Sequence, residues 1–136
     1  LFDLFVGLKF WAPLGSELRI EVGTAPGLLT KQAIYPYSLN ADNNYALAMD
    51  PGMVTIGAGE PGIKTYHANT NTGLTTEDAD NDSYVINCAS LYNYAWWYRS
   101  CWSGSLWGSL QNNYQDLPYW SGSGGDFHQY GAIWLR

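Results

Sequence analysis

Most of the side chains in this chain that could do chemistry lie between Glu77 and Gly108, in EDADNDSYVINCASLYNYAWWYRSCWSGSLWG. Asp78, Asp80 and Asp82 take alternate positions, and Cys88, a run of aromatic residues and Cys101 follow. Alternate carboxylates in a turn can converge their oxygens on one hard cation. Calcium, with roughly six to eight oxygen ligands and main-chain carbonyls accepted among them, is the ion such a pattern suits. An acidic turn that merely faces water has the same sequence, so both readings stand at this point. An EF-hand is excluded, because Ser83 stands where that loop needs glycine and Ala89 where it needs the bidentate glutamate.

The two cysteines, Cys88 and Cys101, are the only ones in the chain. With no C-x-x-C spacing and no clustered histidines they read as one disulfide rather than as zinc ligands, with two buried thiols as the alternative. A bridge closing such a loop would stabilise the fold by about 3 kcal/mol in the chain-entropy model. It would also imply an oxidising compartment, and a chain that is the mature or trimmed part of a secreted precursor.

The order DADND, NCA, Tyr92, AWWY and Cys101 resembles the calcium and disulfide segment of fibrinogen-related domains, the C-terminal globules of fibrinogen chains, ficolins, tachylectins and angiopoietins. The likeness includes the cysteine spacing and the Trp96-Trp97-Tyr98 cluster. It implies a Ca2+ site with side-chain ligands from Asp80 and Asp82 and main-chain carbonyls from Tyr84 and Ile86, Asp78 lying close by. Ile86 departs from the small residue usual at its position, and a β-branched side chain is poorly tolerated at positive φ. A carbonyl ligand does not depend on its side chain.

The same resemblance implies a ligand pocket beside the calcium site, walled by Tyr92, by Trp102 in place of the usual His, and near His128 in place of the usual Tyr. Ser100 and Cys101 would join through a cis peptide bond that turns an N–H toward an acetyl group. Trp96 and Trp97 read as core packing around the bridge.

The elements that must hold this segment are legible in outline. Leu18, Ile20 and Val22 alternate with Glu17, Arg19 and Glu21, the period of a half-buried strand, after an apolar patch that resembles the family's short helix. A turn over Gly23 to Gly27, a strand over Gln32 to Leu39 and a strand over Asp42 to Met49 follow, making an antiparallel meander. Pro36 suggests an edge or a bulge. The glycine- and proline-rich stretch 50–72 reads as loop. The expected fold class is α+β: a twisted antiparallel sheet with short helices in residues 1–72, and an irregular calcium- and ligand-binding subdomain in 73–136. The family also has an N-terminal subdomain and a final strand after the I-x-W motif, here Ile133 and Trp134, and neither falls within these 136 residues. Either that strand lies in residues beyond these 136, or another segment fills its place, such as a strand added by a partner chain.

Composition narrows the function. Charged residues make up 13% and aromatic residues 16%, so the chain is not of disordered type. A net charge of −6 with six scattered basic residues leaves no phosphate-binding footprint, and nucleic acid is excluded as the expected partner. No apolar run reaches the ~20 residues of a membrane span, so insertion is not expected. No nucleophile elbow, phosphate loop or H-E-x-x-H is present, and Asp116, Asp126 and His128 make a poor catalytic set, so an enzyme is not expected. His67 has no assigned role. Asn81-Asp82-Ser83 is a glycosylation sequon that overlaps the metal loop. Two functions remain: a secreted calcium-dependent lectin for acetylated or neutral glycans in innate defence, or an extracellular assembly protein that uses the same aromatic surface to dock other chains, as a homo-oligomer or with a strand-supplying partner.

Overall fold

The computed structural model describes residues 7–61, 63, 68–101, 119–120 and 126–136. A 3-10 turn at Leu8–Phe10 runs into α1 (Trp11–Leu14), the short helix expected from the apolar patch. β1 (Glu17–Ala25) and β2 (Leu28–Asn40) form a long antiparallel hairpin, and β3 (Ala46–Met49) returns along the end of β2. The strands meet in the order β3-β2-β1-β7, with β4 (Met53–Ile56) also on β2 and β7 (Tyr130–Leu135) along β1. A separate two-stranded ladder joins β5 (Tyr119–Trp120) to β6 (Asp126–Phe127).

The alternation of β1 does the sorting. Leu18, Ile20 and Val22 are fully buried on one face, with Ala33 and Tyr35 of β2 beside them. Cys88, Ala89, Trp96, Trp97, Tyr98 and Cys101 complete the same hydrophobic cluster, so sheet and loop segment share one core. Arg19 and Glu21 point to the other face. There Glu21 accepts from Trp134 Nε1 at 2.7 Å, Tyr130 Oη at 3.1 Å and Gln32 Nε2 at 3.2 Å.

Three expectations are corrected. Stretch 50–72 is not all loop: β4 lies in it, because Met53–Ile56 can use the free side of β2 over Gln32 to Ile34. Pro36 is on neither an edge nor a bulge. β4 pairs β2 up to Ile34 and β3 takes over from Tyr37, so Pro36 falls in the gap between them. Its missing N–H faces that gap, while its carbonyl accepts from Asp50 N at 3.0 Å. The first turn is also tighter than expected, with β1 continuing through Gly23 to Ala25.

The I-x-W segment lies along β1. β7 pairs with β1 from Leu18↔Leu135 to Gly23↔Tyr130. Its end is locked at the start of β1, where Ser16 N and Glu17 N both donate to the Arg136 carbonyl at 2.9 Å. Gly15 permits this approach, since a Cβ there would stand 2.2 Å from the Arg136 carbonyl carbon. No helix among the described residues is long and apolar enough to cross a membrane.

Candidate functional site: the acidic loop and the cystine

Cys88 and Cys101 are joined, which resolves the choice between a bridge and two thiols. Both half-cystines are buried in the common core. Cys88 opens α2 (Cys88–Tyr92), and Asn87 caps that helix by accepting from Ser90 N at 3.0 Å. The amide nitrogen of Asn87 reaches back to the Thr76 carbonyl at 2.8 Å, tying the start of the acidic loop to the start of the helix.

The loop is held by its own carboxylates. Asp82 Oδ1 accepts from Tyr84 N at 2.8 Å and Oδ2 from Cys88 N at 3.0 Å, while Asp80 Oδ1 accepts from Asp82 N at 3.2 Å. Partial burial pushes the Asp82 carboxyl above its ordinary pKa. The two backbone N–H groups oppose that shift and the neighbouring Asp80 carboxylate adds to it. Two carboxylates close enough to repel are oxygen donors of the kind a hard divalent cation takes. No cluster of three or more His, Cys, Asp or Glu side chains occurs among the described residues, so carbonyls would have to complete the shell. Ile86 is not among the residues with positive φ, and its β-branched side chain is compatible with its backbone. Asp78 is taken up by Thr76, whose hydroxyl donates to Oδ1 at 2.7 Å, and that bond lowers its pKa.

Residues that pattern reading passed over anchor the loop to the sheet. Asn81 donates through Nδ2 to the Leu74 carbonyl at 2.7 Å, accepts from Asn44 Nδ2 at 2.9 Å, and its N–H donates to Thr75 Oγ1 at 3.1 Å. The nitrogen that a glycan would need is therefore engaged. Ser83 closes the far side, donating to the Arg99 carbonyl through both N–H and Oγ. The usable signal was local: Asn before a helix start is an N-cap, and Asn81 was read only as part of a sequon.

Together these contacts fix an acidic loop against a buried cystine. A scan against family models matches residues 16–135 to the C-terminal globular domain of fibrinogen beta and gamma chains. The chain belongs to this family. A fibrinogen C domain-containing protein 1 of Xenopus tropicalis is 44% identical over 52 residues, covering 35% of this chain and 11% of that protein. Fibrinogen-like protein A of Apostichopus parvimensis is 40% identical over 84 residues, covering 57% and 29%. The fibrinogen-like globe domain of human ANGPTL6 superposes with a TM-score of 0.64 at 27% identity over 88% of this chain and 55% of that one. The chain thus spans less than a third of the length of the curated relatives quoted. Fibrinogen-like domains are in general ligand-recognition modules rather than enzymes.

For this fibrinogen-like domain the expected pocket residues separate. Tyr92 stacks on Tyr98 with ring centroids 6.0 Å apart, and burial, then Tyr84, raises its pKa. Trp97 is core, its Nε1 donating to the Tyr45 carbonyl at 2.7 Å, and Trp96 packs edge-on against it. His128 pairs through Nδ1 with Thr30 Oγ1 at 3.1 Å, at the hairpin end of β2. The acidic loop joins the sheet through Asn44, which follows the opposite end of β2. Trp102, Asp116 and His67 lie outside the described residues. The Ser100–Cys101 peptide bond is trans, not cis, because no cis bond occurs among the described residues. Trans is the isomer a non-proline bond prefers by about 3 kcal/mol. The chain turns there instead through Cys101, at φ 39°.

Proposed function

We propose that this domain is a calcium-dependent recognition module of a secreted protein and binds acetylated or neutral glycans beside the acidic loop. The observation that carries the reading is the double use of Asp82, whose carboxylate holds the loop N–H of Tyr84 and the first helical N–H of the cystine-bound α2. A cation on Asp80, Asp82 and the carbonyls of Tyr84 and Ile86 would neutralise the repelling carboxylates and stiffen the backbone next to Tyr92. Calcium supplies charge and rigidity; Tyr92 supplies a ring face for a methyl or pyranose surface, and the main chain at Ser100 and Cys101 supplies polar groups. Trp102 is the further ring of this set. The cystine supports a location in the secretory or extracellular space. Binding on a glycan array that disappears with chelator and with Tyr92→Ala is the expected result, and binding indifferent to both would end the proposal.

A second reading has its own observation. Tyr84, Val85 and Ile86 are consecutive and 46%, 88% and 54% exposed, an apolar tip suited to protein contact in an extracellular matrix or filament. Val85→Asp would abolish such docking and leave glycan binding intact.

A further inference from the structure

Tyr84, Val85 and Ile86 stand out of the acidic loop, and Val85 at 88% exposed has almost no cover. The backbone that carries them is tied on both sides. Tyr84 N and Cys88 N are held by the two carboxylate oxygens of Asp82, and Ser83 gives both its N–H and its hydroxyl to the Arg99 carbonyl. The triplet is thus presented on a braced turn anchored to the cystine. Burying such side chains would be favourable, and within the domain nothing buries Val85. The charges around the tip are of two kinds. Asp78 and Asp80 are exposed on the chain leading into it. Arg99, brought alongside by the Ser83 bonds, is exposed too, and its guanidinium forms no ion pair among the described residues.

We propose that this tip inserts into an anionic phospholipid surface, with Val85 and Ile86 entering the acyl boundary, Tyr84 at headgroup level and Arg99 on a headgroup phosphate. Size favours lipid over a protein partner. Three residues are few against the roughly 20–30 a side of a stable protein interface, whereas a bilayer takes an apolar point without matching its shape. A tyrosine beside an aliphatic pair suits the boundary, since its ring is apolar and its hydroxyl stays wet. Charge selects the lipid. The unpaired Arg99 is drawn to a negative surface, while the loop carboxylates and the net charge of −6 oppose approach. A divalent cation on Asp80 and Asp82 turns that opposition into attraction. This metal dependence, and nothing else in the proposal, rests on the calcium reading above.

Co-sedimentation with vesicles tests this, using phosphatidylcholine alone and phosphatidylcholine mixed with phosphatidylserine, each with calcium and with chelator. The expected result is binding to the mixed vesicles in calcium and little to phosphatidylcholine alone. Val85→Asp should weaken that binding by roughly tenfold or more, and Val85→Trp should strengthen it, an opposite pair that loss of folding would not produce. Arg99→Gln should weaken binding to the mixed vesicles only. Vesicles left unbound in calcium, or bound equally well by Val85→Asp, overturn the proposal, and equal binding to both vesicle types overturns its choice of an anionic surface. Calorimetric calcium titration of the same protein separates the two readings. Calcium uptake without vesicle binding overturns the tip and keeps the metal site. Vesicle binding through Val85 without calcium uptake supports the tip and overturns the metal site. Capture of a protein through Val85 by a chain that ignores vesicles also overturns the lipid proposal.

Discussion

Asp82 and Glu21 show how the same side-chain type serves two ends. Glu21, only 5% exposed, gathers donors from β2 and β7 and has Arg19 Nε at 3.5 Å from Oε2. Removing it would strand the Tyr130 and Trp134 donors, and Glu21→Ala should cost about 1–3 kcal/mol in urea unfolding. Glu21→Gln should cost less, because Trp134 and Tyr130 both use Oε1, which glutamine retains as an acceptor. Asp82 has a raised pKa, so in the metal-free protein its contribution to stability is present below the ordinary carboxylate range and is lost as pH rises through the folded value. A bound cation competes with that proton. Calcium affinity measured calorimetrically should therefore fall as pH drops through the Asp82 pKa, and an affinity that ignores this window would remove Asp82 from the ligand set. Asn81 is a third case. Asn81→Ala loses bonds to Leu74 and Asn44, and should lower both the unfolding midpoint and the calcium affinity.

At the scale of elements, the cystine and the sheet ladders divide the work. The bridge closes a loop of sequence separation 13, and Cys88→Ala with Cys101→Ala should destabilise by about 3 kcal/mol. An unchanged denaturation midpoint would mean that packing of Trp96, Trp97 and Tyr98 already holds the segment. Gly15→Ala is a sharper probe of β7, since the added carbon would collide with the Arg136 backbone. Amide exchange at Arg136 and Glu17 should accelerate while the β1–β2 hairpin stays protected. The hairpin was readable because β1 alternates strictly and one-sided burial forces that pattern. β4 was hidden, because four residues among glycines and prolines carry too little periodicity, and only the open side of β2 makes a strand of them. Pro36 misled for the same reason: a missing donor says that no ladder bond forms on one side, and the handover from β4 to β3 achieves that inside a sheet.

For the whole molecule, one core joins the sheet to the loop segment, so occupancy of the acidic loop should register in global stability. Free calcium at a hundredfold above its dissociation constant should add about 2.7 kcal/mol, read as a higher melting temperature that chelator reverses. No shift would leave the domain a fibrinogen-like fold without the ion. The family, the α+β class, the cystine and the loop that carries the carboxylates were all legible in residue order, because side-chain types at close spacing are local facts. Whether Ser100–Cys101 is cis, where His128 goes, and which strand lies beside β1 were not. Those depend on residues 98 and 113 positions apart in sequence, His128 on Thr30 and Trp134 on Glu21, and only the folded chain brings such groups within bonding distance.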